Sequence, residues 1–130
     1  MSTPNILSNI SKLNIKPNVA YGSIPSTSAV SLLGGSSASS YLVEDNTVVR
    51  IVNLMVSASD QADSVITISL NNSSGIVANL FTDYIVYRGN TVCLLDEASP
   101  MILEEGFTLY ITSDNTTCNY YIAYEKIFNG

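Results

Sequence analysis

The run SVITISL, residues 64–70, alternates: Ile66, Ile68 and Leu70 fall on one side, Val65, Thr67 and Ser69 on the other. A period of two is the pattern of a half-buried β-strand, and it constrains this chain more than any other feature because no segment after residue 40 has a convincing helical period. The run 48–57, VVRIVNLMVS, is apolar on both sides, so it reads as a strand that carries a bulge or sits centrally in a sheet. Further strands are expected at 75–81, 84–87, 91–95, 107–112 and 119–127. The segment NNSSG, residues 71–75, is a turn by composition, and Gly89-Asn90 lies between two runs where a hairpin turn is expected. About seven short antiparallel strands with polar turns and no room for crossover helices predict an all-β chain, a single jelly-roll-like β-sandwich.

The first forty residues read differently. Residues 22–40 hold eight Ser, three Gly and one Pro, with little to pack, and are expected to form a linker. Before it, NILSNISKLNIKPNVAYG carries spaced apolar residues Ile6, Leu7, Ile10, Leu13 and Ile15. Positions 6, 10 and 13 share a helical face, although three Asn and Pro17 weaken a helix there. The expected organisation is therefore an extended N-terminal arm and linker over residues 1–40 and a sandwich over 41–130. The arm residues are the candidate partner-binding segment, with padding of the domain's own flank as the alternative.

Composition limits the function classes. A chain of 130 residues with 46% hydrophobic and 12% charged residues is a folded single domain rather than a disordered one. The net charge of −6 and only five Lys and Arg argue against nucleic acid as a partner, because phosphate neutralisation needs clustered cations. Neither an apolar run long enough to span a membrane nor a signal-peptide pattern is present, so synthesis in a cytoplasm without secretion is expected, with no membrane partner. Under that expectation Cys93 and Cys118 read as two free thiols packed as small hydrophobes, with a disulfide as the alternative.

The sequence offers little chemistry. With no histidine, the commonest general base and every Ser-His or Cys-His nucleophile arrangement are excluded. Two cysteines do not make the usual four-ligand zinc site. Acidic residues cluster as Glu44-Asp45, Asp60 with Asp63, Asp96-Glu97 and Glu104-Glu105. A glycosidase needs two carboxylates facing each other at about 5 to 10 Å, whereas neighbours in a strand point to opposite faces. Residues around Asp60 and Asp63 could offer oxygen ligands to calcium but lack dense ligand spacing. Glu104 and Glu105 instead read as a solvated turn. Gly106 there supplies the freedom to enter a strand with Phe107, Leu109 and Ile111 inward and Thr108, Tyr110 and Thr112 outward. The expectation is no enzyme, no cofactor and no metal.

What remains is surface. Tyr120, Ile122 and Tyr124 alternate with Tyr121, Ala123 and Glu125, so aromatic residues lie on both faces of the last strand and one side is expected to meet a neighbour. Tyr84, Tyr87, Tyr120 and Tyr121 are the candidate surface for self-association or for a glycan.

The succession VVRIVNLMVS, SVITISL, ILEEGFTLYITSD and YYIAYEKI resembles the small β-sandwich virion proteins of tailed bacteriophages, particularly contractile-tailed marine and cyanobacterial phages. The resemblance covers roughly residues 40–130; Phe107 departs from the Asp usual after the Glu-Glu-Gly turn in that family. It implies a non-enzymatic virion component: capsid decoration or cement, or a neck or tail accessory. It also implies a homo-oligomer, with a trimer by analogy, whose partners are other virion proteins. The alternative is a tail-fibre-type module that binds a host surface glycan.

Overall fold

The computed structural model describes residues 13–24, 29–33, 42–96, 98, 100–114 and 118–129. Among these are nine strands: β1 Leu13–Ser23, β2 Val30–Ser31, β3 Thr47–Ser57, β4 Ser64–Asn72, β5 Gly75–Val86, β6 Thr91–Leu95, β7 Met101–Leu103, β8 Thr108–Ser113 and β9 Asn119–Asn129. They form two antiparallel sheets, the first in the order β1-β9-β3-β6 with β7 also beside β3, the second β2-β8-β4-β5.

The pairing is nested. β1 pairs with β9, β2 with β8, β3 with β6 and β7, and β4 with β5. β6 lies along residues 54–57 of β3 and β7 along 49–51, so together they act as one interrupted edge strand. First with last, second with second-last and so inward is a long hairpin rolled into two sheets, the jelly-roll arrangement the alternation predicted. Most connections therefore cross from one sheet to the other.

That topology changes the reading of the first forty residues. β1 pairs with β9 over its whole length, from Leu13 against Asn129 to Ser23 against Asn119. Ile24, Val30, Leu32 and Leu33 lie in the core. Residues 13–33 thus supply one strand to each sheet, and the expected boundary at residue 40 does not mark where the sandwich begins. The Ser/Gly-rich composition hid this because a backbone ladder needs no apolar side chains, and β2 is only two residues long. The helix considered over residues 6–13 falls outside the described residues except for Leu13, which is in β1.

The interior is filled by the inward alternates of both sheets. β3 gives Val49, Ile51, Leu54 and Val56, β9 gives Tyr120, Ile122 and Tyr124, and β4 and β8 give Ile66, Ile68, Leu109 and Ile111. Full burial of each aliphatic side chain contributes about 1.5–3 kcal/mol. The Tyr124 hydroxyl donates to the carbonyl of Leu33 at 2.7 Å, tying β9 to the chain just after β2. Both features expected of residues 48–57 are present: β3 lies between β9 and the β6/β7 edge, and its register against β9 slips between Ile51 and Asn53.

Three local expectations are corrected. The two strands expected at 75–81 and 84–87 are one, β5, because Asp83 is accommodated as a bulge. Its φ of 50° lies in the left-handed region that Asp tolerates, and its N–H donates to Thr67 Oγ1 at 3.1 Å. Gly89-Asn90 is a turn but not a hairpin: Asn90 N–H donates to the Tyr87 carbonyl at 3.0 Å while β5 and β6 belong to different sheets. Thr108 does point outward by register, yet it is fully buried, its hydroxyl 3.1 Å from that of Ser31.

Candidate functional site

The Glu-Glu-Gly segment is a connection. Phe107 N–H donates to the Glu104 carbonyl at 3.3 Å, and Gly106 adopts φ 83°, closing a tight turn between β7 in the first sheet and β8 in the second. Gly106 N–H donates to the Val43 carbonyl, and Val43 N–H to the Phe107 carbonyl, each at 2.9 Å. Glu104 and Glu105 stay exposed. Other carboxylates are used locally. Asp63 Oδ1 accepts from Arg88 N–H at 2.9 Å, Asp114 Oδ1 from Val65 N–H at 2.8 Å, and Asp96 Oδ1 from Ala98 N–H at 3.0 Å. Glu44 pairs with Lys126 and Glu125 with Arg50, each at 3.2 Å. None of these contacts sets two carboxylates across a cleft.

The cysteines are free thiols in different settings. Cys93 is exposed on β6. Cys118 is fully buried, and burial pushes its thiol above the ordinary 9.0, opposed by the Ser64 and Ser113 hydroxyls. The four candidate tyrosines do not form one surface. Tyr120 is 3% exposed within the core, where burial raises its phenol. Tyr84 is on β5 with its ring 6.0 Å from Phe81 in edge-to-face contact, Tyr87 follows β5, and Tyr121 faces outward from the first sheet. Of the candidate arm residues, Ile6, Leu7 and Ile10 lie outside the described residues, and Leu13 and Ile15 belong to β1.

Register builds a different surface. Side chains directly opposite one another share a face, so the outward side of the first sheet can be read as rows. Ile15, Ile127 and Val48 make one row; Pro17, Glu125, Arg50 and Ile102 the next; Val19, Ala123 and Asn53 a third; and Tyr21, Tyr121, Met55 and Cys93 a fourth. A polar row of Ser23, Asn119, Ser57 and Thr91 ends the face, with Ser23 Oγ donating to Asn119 Oδ1 at 3.1 Å. Ile15 is 60% exposed, Val19 56%, Tyr21 68% and Ile102 53%. A shallow hollow on this side is lined by Pro17, Val19, Val52, Ala123 and Glu125.

Sequence reasoning found Tyr121, Ala123 and Glu125 on this face but missed its breadth. The available signal was the even spacing of Ile15, Val19 and Tyr21, which the helical face read at positions 6, 10 and 13 overshadowed.

No protein-family model matches the chain, and no curated protein matches it. Among solved structures, the chain is similar to a subunit of Bacillus endospore appendages, described as a novel family of disulfide-linked pili. The TM-score is 0.53 at 7% identity, covering 91% of this chain and 88% of that one. Weaker likenesses are to the Gx strain of infectious bursal disease virus and to the CBM22-1 xylan-binding domain of Paenibacillus barcinonensis Xyn10C. The first has a TM-score of 0.43 at 11% identity, covering 91% of this chain but 33% of that chain. The second has a TM-score of 0.24 at 14% identity, covering 90% and 85%. At these identities the appendage subunit establishes a shared β-sandwich fold and nothing further, and the other two carry no argument.

Proposed function

We propose that this chain is a non-enzymatic structural subunit of a virion, a capsid decoration or cement protein or a neck or tail attachment protein. The observation that carries this reading is the outward side of the first sheet, four rows dominated by apolar side chains on a chain otherwise rich in Ser, Thr and Asn. Such a face is suited to burial in an assembly rather than to catalysis. Occurrence of the same fold in a pilus of Bacillus endospores supports an assembling role. In this reading residues 1–12, with Ile6, Leu7 and Ile10, attach the subunit to another virion protein. β1, the first described strand, begins at Leu13.

Quantitative mass spectrometry of purified particles tests it. Hundreds of copies would indicate decoration, and about a dozen would indicate neck, baseplate or fibre, since copy number follows the symmetry of the site. Absence from the particle would overturn the proposal. Deletion of residues 1–12 is expected to leave a folded body that no longer joins particles.

A second reading, a tail-fibre-type module for a host surface glycan, is favoured by the exposed rings of Tyr84 and Tyr87 beside Phe81. A glycan array with the full chain separates the two: binding that is lost in Tyr84→Ala and Tyr87→Ala would support this reading, and silence would remove it.

A further inference from the structure

We infer that the outward face of the first sheet is a homotypic interface, covered by a second copy of this chain. The inference rests on the structural-subunit reading and names the surface and the partner. Ile15, Val19, Tyr21, Val48, Ile102 and Tyr121 expose on the order of 600 Å² of largely apolar surface, close to the ~800 Å² each partner contributes to a standard stable interface. Half-buried Met55, Ala123 and Ile127 in the same rows extend it.

Charge selects the partner. Among the described residues of this face only Arg50 and Glu125 are charged, and they pair at 3.2 Å, so the face is neutral. The whole chain carries −6. Two copies repel where their acidic loops meet and can approach closely at a neutral apolar surface, whereas a cationic partner would be drawn to the acidic loops instead. A two-fold axis near the Arg50–Glu125 pair would set each guanidinium beside the other copy's carboxylate, making the face complementary to itself.

The sheet edges point the same way. A free edge normally invites another strand, but β1 carries Pro17, which has no N–H to offer, and β5 is interrupted by register shifts along its pairing with β4. Proline and bulges both discourage strand addition. Strand addition at the β1 and β5 edges is thereby disfavoured relative to association through the face.

Cys93 makes the interface measurable in the unaltered protein, because it is exposed in the fourth row while Cys118 is buried. The full chain is examined by sedimentation velocity across a concentration series, with the rate of Cys93 alkylation by iodoacetamide followed in parallel. The expected result is a rise to twice the monomer mass with a several-fold slowing of alkylation. Val19→Lys should keep the melting temperature yet hold the chain monomeric with fast alkylation. Thr112→Lys, exposed on the outward side of the other sheet, should leave the dimer intact. A monomer at every concentration would overturn the inference, as would a dimer whose Cys93 reacts at the monomer rate and which survives Val19→Lys. Particle composition is scored separately. A virion protein that stays monomeric sinks this interface alone, and a dimer absent from particles sinks the virion reading alone.

Discussion

The two outward faces of this sandwich are built on the same alternation and yet differ in character across their central strands. On the first sheet the outward positions include Ile15, Val19, Tyr21, Val48, Ile102 and Tyr121, exposed and apolar, around the Arg50–Glu125 pair. On β2, β4 and β8 of the second they include Ser31, Thr67, Ser69, Asn71, Thr108 and Thr112, polar and in part bonded to one another, while exposed Ile76 and Ile85 lie along the β5 edge. Ser31 and Thr108 share a hydrogen bond at 3.1 Å, and Ser69 donates to Asn71 at 2.6 Å. Folding requires only that the inward alternates be apolar. The outward ones are free to be set by other demands, so an outward side that is apolar across β1, β9 and β3 carries information about association that the polar outward positions of β4 and β8 do not.

Both faces depend on complete sheets, and removal of residues 1–33 takes β1 from one sheet and β2 from the other. The expected outcome is loss of the cooperative thermal transition in circular dichroism, because the cores of both sheets are opened. A sigmoidal melt near that of the full chain would mean that the nested pairing does not hold the fold.

Next in size is the crossing between the sheets at Gly106. A Cβ there would meet nothing within 4 Å, so the cost of Gly106→Val comes from its φ of 83° alone. A β-branched residue in that region is expected to lower stability by about 2–3 kcal/mol. Glu104→Gln with Glu105→Gln should stay within about 0.5 kcal/mol, as exposed substitutions do. Equal losses in urea melts would return the two glutamates to consideration as something more than a turn.

A smaller effect contrasts the outward faces directly. Thr108→Val leaves the buried Ser31 hydroxyl without its partner and should cost about 1–2 kcal/mol, part of it recovered by adding Ser31→Ala. Val19→Thr on the other face should change monomer stability by less than about 0.5 kcal/mol. Similar losses at both positions would show that the apolar face, too, is needed for the fold of the single chain.

The smallest expected effect concerns the interior that separates the faces. Burial raises Cys118 above 9.0 and Tyr120 and Tyr124 above 10.0. The unfolded chain releases these protons first, so the stability these groups lend is complete below pH 9 and declines as pH climbs through 9 and 10. Melting temperatures between pH 7 and 11 should therefore fall on the alkaline side, and Cys118→Ala should flatten the first part of that fall. An unchanged profile in that variant would remove the thiol as a cause.

The alternation of Val, Ile, Thr and Tyr determined by itself that the chain is all-β, that strands lie near residues 48–57, 64–70, 91–95, 107–112 and 119–127, and that Glu104 to Gly106 forms a turn. These are local properties, set by side-chain period and by which residue tolerates a positive φ. Tertiary structure alone decided that β1 pairs with β9, that Tyr120 is interior while Tyr121 is outward, that Gly89-Asn90 passes between sheets, and that apolar side chains from five strands form one face. Each of those depends on which distant strand supplies the hydrogen bonds. A ladder between residues separated by a hundred positions leaves no mark on the composition of either strand, and so the roll begins at β1, in the stretch that looked like an arm, with β2 inside the Ser-rich segment that looked like a linker.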